Sequence, residues 1–324
     1  MSTATETALL AGPDAPDAEI LTERLDAVWA DEPFAEAAAQ TEHLCAVLPL
    51  LELFPHDPDG RIAAVRAGGL RAALGLFTPN AQLARTVPTV RARRDADGRA
   101  VLTGRFRYAD EAADLTVALV RFEDEEGVRL ALLPHTLDGL RLYGAGRSQD
   151  RGWAELDGAA IDARAVSDPV NTDDDGPLTA VLDAYSWEFS RRSVTWSAKV
   201  VADLRRTLAN TGEGAEALST SQYLAHELSK LEIELSLAAA AASFGAAFKG
   251  ERPGGQSVAA TLLACTDLLW RTVRVAEDMS ADLGLEPSPV ADPAWPSDRV
   301  QASLGGRRLA GGELARRMGL HRRR

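Results

Sequence analysis

The stretch VPTVRARRDADGRAVLTGR, residues 87–105, decides the fold class. Val90 and Ala92 alternate with Arg91 and Arg93, the period of a half-buried strand. Asp95-Ala-Asp-Gly98 is a hairpin turn signal, and Ala100 to Arg105 resumes the strand pattern. Further strands follow downstream. Leu115 to Phe122 reads as a buried strand, Glu123 to Gly127 as an acidic turn, and Val128 to Leu133 as another strand. Trp153 to Ile161 alternates Trp153, Glu155 and Asp157 against Ala154 and Leu156. These elements define a β domain over residues 80–170.

The texture on either side is helical. Leu21, Leu25, Val28 and Trp29 recur at three- and four-residue spacing until Pro33 breaks the run. A second helix carries Ala37, Ala38, His43, Leu44 and Val47 toward Pro49. PHDPDG, 55–60, is a turn cluster, and Arg61 to Leu76 reads as a further helix broken at Gly68-Gly69. After the polar linker Asn171 to Gly176, helical pattern runs from Pro177 to Gly284. Within it Leu224, Leu228, Leu231, Leu235, Ala238 and Ala242 form an apolar stripe, with Lys230 and Glu234 as an i,i+4 pair opposite. The small residues in the stripe's later half permit close helix approach. Glu251 to Gly255 breaks the chain before a helix over Val258 to Met279; a proline-rich connection and a last helical segment close it. The expected class is α+β: a disordered lead (1–18), a short N-terminal helical domain (19–79), a β domain (80–170) and a C-terminal helical bundle (171–324).

Composition narrows the function. The chain has 324 residues, 46% hydrophobic and 26% charged, which is ordinary globular usage with material for a core. A net charge of −13 repels phosphate backbones and argues against nucleic-acid binding; the basic tip His321 to Arg324 is too short to reverse it. Two distant cysteines, Cys45 and Cys265, rule out a disulfide scaffold and fit a reducing cytoplasm. Five scattered histidines give no metal-ligand spacing, so no metal is expected, and the acidic triplet from Asp173 lacks the ligand glutamate of a calcium loop. No signal peptide and no membrane-spanning run is expected.

Four stretches resemble the acyl-CoA dehydrogenase family. Val65 to Ala81 is similar to its glycine-rich entry into the β domain, ending in Pro79-Asn80-Ala81. Thr89-Val-Arg-Ala92 with Asp97-Gly98 and Gly104 resembles its β hairpin. Glu155 to Gly158 with Ala163 resembles the strand that closes the β domain, and Ser221 to Leu228 resembles a bundle helix. The resemblance implies a shortened member that removes hydrogens from Cα and Cβ of an acyl thioester and that packs into a homo- or hetero-oligomer through its C-terminal helices, where the Leu224 to Ala242 stripe lies. A glutamate would take the α proton and FAD the β hydride. It places cofactor contacts at Pro79, Asn80, Ala81, Tyr108, Ala109 and Asp110, and the catalytic base at Glu188.

The departures from the family pattern are specific. Gln82-Leu-Ala84 stands where the family has Gly-Ser-Asp, and Asp110 stands where it has a hydroxyl beside the flavin. A carboxylate there opposes hydride acceptance, whereas a solvated turn residue is the plainer reading. Thr211 to Ala215 replaces an Arg-x-x-Phe-Gly that would hold the FAD pyrophosphate across a subunit interface; Arg205 and Arg206 lie nearby. The aromatic-rich face around Glu188 (Tyr185, Trp187, Phe189, Trp196) reads as pocket lining or as core. His135 and His226 are alternative acid–base groups. Three functions are therefore expected: a flavin dehydrogenase of a CoA or carrier-protein thioester, a flavin-deficient subunit completing a paralogue's site in a hetero-oligomer, or a cofactor-independent enzyme such as a cyclase.

Overall fold

A computed structural model describes residues 18–76, 90–108, 117–143, 153–173, 176–210, 215–246 and 255–283, with Leu304, Leu314, Ala315 and Met318. The chain runs from helices through a sheet to long helices. Helix α1 (Ala18–Asp31) and helix α2 (Phe34–Glu42) flank Pro33. Helix α2 does not stop before Pro49, but passes through a π-helical turn (His43–Val47) into α3 (Leu48–Leu51). Pro49 has no N–H to donate and its ring crowds the preceding turn, and the wider turn accommodates both. A 3₁₀ turn (Pro58–Gly60) leads into α4 (Arg61–Arg66). There the expected helix ends. Gly68 adopts φ +73°, and Ala72–Gly75 is not helix but strand β1.

The sheet follows: β2 (Val90–Arg94), β3 (Ala100–Arg107), β4 (Val117–Asp124), β5 (Gly127–Pro134), β6 (Leu140–Tyr143) and β7 (Trp153–Ile161). Its order is β1-β4-β2-β3-β7-β6, with β5 on the other edge of β4. Strands β1 and β2 share one edge of β4, both parallel to it; β1 pairs with Val117 to Val120 and β2 with Phe122 and Glu123. The β2–β3 hairpin forms at the expected turn. Asp95 Oδ1 accepts from the N–H groups of Asp97 and Arg99 (3.0 and 2.9 Å), and Gly98 takes φ +78°.

Three helices complete the chain: α5 (Pro177–Asn210), α6 (Ala215–Ala246) and α7 (Gly255–Leu283). Among the described residues no helix is long and apolar enough to cross a membrane. The stripe Leu224, Leu228, Leu231, Ala238 and Ala242 is buried, most of it in one core with Leu204 of α5 and Cys265 of α7. It is thus used within the chain and is not available as an oligomer surface. Lys230 pairs with Glu227 at 2.7 Å, not with Glu234, which instead accepts from Arg271 of α7.

The sheet has a different core on each face. Val117, Leu119, Leu130 and Leu132 point toward the helices, while Ala118, Val120, Phe122, Ala131 and Leu133 point into the sheet's own core. This is the two-residue period of a strand buried on both sides.

Candidate functional site

Glu188 lies about a third of the way along α5, on the side that meets the front helices. Its carboxylate forms a close ion pair with Arg192, one turn on, and a longer one with Arg191 (3.4 Å). Arg192 is 2% exposed. Its Nη2 reaches Asp26 Oδ1 at 3.0 Å and the Thr22 carbonyl at 3.2 Å, both on α1. Lys199, two turns further, donates to the carbonyls of Trp29 and Ala30 (3.2 and 2.7 Å) at the C-terminal end of α1. Helix α1 is thus tied to α5 by two cations, and Glu188 belongs to the first of those ties.

The aromatic face around Glu188 resolves as core. Tyr185 and Phe189 are buried, and Trp29, Phe34, Phe189 and Trp196 meet edge to face with centroids 4.9–6.2 Å apart. The front helices cover these rings. Trp187 is half-buried.

A second carboxylate escaped the sequence reading. Glu42 is 3% exposed at the joint of α2, β1 and α5. Its Oε1 accepts from the Leu74 N–H (3.3 Å) and its Oε2 from the Tyr185 hydroxyl (3.4 Å). The one sequence signal was an acidic residue on the apolar side of a helix, among Ala38, Thr41 and Cys45. Beside it, burial together with Arg24 and Arg71 holds His43 below the usual histidine value. Burial, with the Glu188 charge nearby, pushes the Cys45 thiol up to about 12. Burial likewise raises Cys265 to about 12.

Tyr108 directly follows β3 and is 1% exposed, its ring tilted against Phe106 at 6.3 Å within the sheet core. Covered in this way, the ring presents no stacking face to a flavin. Pro79, Asn80, Ala81, Ala109 and Asp110 lie outside the described residues. Tyr108 belongs to the sheet core, whereas Tyr185 and Phe189, the neighbours of Glu188 along α5, belong to the helical core. His226 is exposed on α6, and His135 is exposed in the turn after β5. Arg205 and Arg206 are exposed on α5 and pair with Glu232 (3.6 Å) and Asp203 (2.6 Å). Among the described residues no cluster of histidine, cysteine or carboxylate could hold a metal ion.

The architecture matches solved structures over most of its length. Glutaryl-CoA dehydrogenase from Mycobacterium smegmatis superposes with a TM-score of 0.71 at 16% identity, covering 93% of this chain and 79% of that one. The chain has the acyl-CoA dehydrogenase fold. An FAD complex of PigA gives 0.71 at 13% identity, covering 91% of this chain and 81% of that chain. Butyryl-CoA dehydrogenase from Megasphaera elsdenii gives 0.65 at 13% identity with the same coverage. No family model matches the sequence, and no curated protein matches it. The likeness is therefore carried by the path of the acyl-CoA dehydrogenase fold, not by shared residues.

Proposed function

We propose that the chain is an acyl-CoA dehydrogenase-like oxidoreductase that acts on an acyl thioester, borne on CoA or on a carrier protein, by α,β-dehydrogenation. The supporting observation is the fold, shared with dehydrogenases over 93% of the chain despite 16% identity. FAD, when bound, would supply the acceptor for the β hydride. Glu188 is assigned the α proton. Its Oε2 is held by both Arg191 and Arg192, so proton abstraction through that oxygen requires exchanging Arg192 for substrate. The two free cysteines support a cytoplasmic setting.

Two observations favour a second reading, a flavin-deficient subunit that completes the site of a flavin-bearing paralogue. Glu188 is the counter-ion of a buried arginine, and the Tyr108 ring is shut in the sheet core. The visible spectrum of the purified chain separates the two. Flavin bands in the chain alone, or after FAD is added, support the dehydrogenase. A chain that stays colourless alone and gains flavin only when co-purified with a paralogue selects the subunit. A chain without flavin in either state overturns both.

A further inference from the structure

Helix α1 is docked through few side chains. Among its described residues, 20–31, only Leu25 and Trp29 are buried, and Ile20 is 58% exposed. A helix of 14 residues is marginal by itself in water, so α1 depends on what it docks against. Trp29 lies edge to face on Phe34 (5.5 Å) and Phe189 (6.0 Å), and its indole N–H donates to Thr41 Oγ1 at 2.8 Å. Its polar ties to α5, among the described residues, are those of Arg192 to Asp26 and the Thr22 carbonyl, and of Lys199 to the Trp29 and Ala30 carbonyls.

These ties hold α1 only loosely. Asp26 and Lys199 are exposed, so solvent screens them. Arg192 is buried where the two helices meet, and its Nε makes no hydrogen bond among the described residues. Taking a guanidinium out of water costs free energy that its partners offset only in part. At the end of α1, Pro33 (φ −56°, ψ 153°) has no N–H and stops the helix, which leaves a joint at Glu32-Pro33 before α2. Few buried apolar contacts and solvated polar ones mark an element at the low end of local stability.

We propose that α1 is a strap that detaches from α5 about this joint and so uncovers Glu188, Arg192 and the rings beneath. With α1 docked, Arg192 is confined between Glu188 and Asp26. With α1 away, its guanidinium reaches water and is no longer bound to stay on Glu188, and Phe34 and Phe189 lose the cover of Trp29. A carboxylate beside an uncovered apolar floor suits an acyl chain that presents an acidic Cα–H. That use of the opened face rests on the thioester reading above; the detachment rests on the ties alone. The strap also covers a native reporter. Cys45 follows Thr41, the partner of Trp29, by about one turn, and its thiol feels the charges of Glu188 and Arg192. Cys265 lies in the separate core of the long helices.

The test is alkylation of the full chain by iodoacetamide at urea concentrations below the unfolding transition, with each cysteine followed by peptide mass mapping. Cys45 is expected to label faster than Cys265 and with little dependence on urea, because a local opening exposes little surface. Cys265 should show the steep urea dependence of global unfolding. The double variant Asp26→Asn/Lys199→Ala cuts both ties at exposed positions and should raise the Cys45 rate at least about fivefold, with its shallow urea slope kept. Arg206→Ala removes an exposed pair elsewhere on α5 and should leave the Cys45 rate unchanged. Equal rates and urea slopes at the two cysteines would mean that Cys45 is reached only by global unfolding, which overturns the proposal. A Cys45 rate that the double variant does not change overturns it as well, because the opening would then not involve α1. Labelling needs neither flavin nor turnover, so failure of the dehydrogenase reading leaves these outcomes interpretable.

Discussion

At the scale of single residues, ion pairing and catalysis compete for Glu188. The Arg192 guanidinium is buried and needs its anions, and Glu188 is one of two, the other being Asp26. Glu188→Gln keeps the shape and removes the charge. A purely structural role predicts a loss of about 1–3 kcal/mol in unfolding free energy, limited by the partners that remain on α1, with turnover per folded molecule unchanged. A catalytic role predicts a collapse of kcat in protein that melts near the wild-type temperature. Denaturant melts paired with single-turnover assays read the two outcomes separately. His43 gives a pH prediction. Its folded value lies below 6.5, so the unfolded chain binds this proton first as pH falls. The stabilisation is complete above the unfolded value and is lost as pH drops through 6.5 toward the folded one. His43→Gln should flatten the fall in melting temperature between about pH 7.5 and 5.5. An unchanged slope would remove His43 from the account.

At the scale of elements, what the sequence revealed depended on where each element's partners lie. The β2–β3 hairpin was readable because its turn chemistry is local, with Asp95 capping residues two and four positions on. Strand β1 was not. Its first three residues, Ala72-Ala-Leu74, favour helix by propensity, and it becomes a strand by parallel pairing with β4 some forty-five positions later. Strand β6 is equally short and owes its form to β7. Glu42 was invisible as a site because its partners are 32 and 143 positions away. Glycine at position 75 is what lets β1 fit. A Cβ there would lie 2.5 Å from Phe106 Cδ2 and 2.9 Å from Val120 Cγ2. Gly75→Ala should therefore destabilise by about 1–3 kcal/mol through overpacking. Phe106→Leu in the same chain should recover part of the loss, since the clash is with that ring. Urea melts of the two single variants and the double variant test the coupling, and simple additivity would refute it.

At the scale of the whole molecule, the helical bundle leaves an apolar face uncovered. Helix α6 turns Leu224, Leu228 and Leu231 inward, so Tyr223, His226, Lys230, Ile233 and Leu237 lie together on its other side at alternating steps of three and four. Tyr223, Ile233 and Leu237 are 60%, 62% and 66% exposed, and Trp270 on α7 is 47% exposed. Large side chains exposed in register are atypical of a monomer's surface. The oligomer expected from the sequence therefore transfers from the Leu224–Ala242 stripe, which the chain uses for its own core, to this opposite face. Light scattering on a sizing column should give a mass above the 34.5 kDa of one chain. Ile233→Glu/Leu237→Glu should shift the protein to 34.5 kDa without lowering its melting temperature, because neither side chain contributes to the core. A wild-type chain that is already monomeric at micromolar concentration, alone and with its paralogue, would show that these residues are merely solvated. A double variant that assembles as before would place the interface elsewhere.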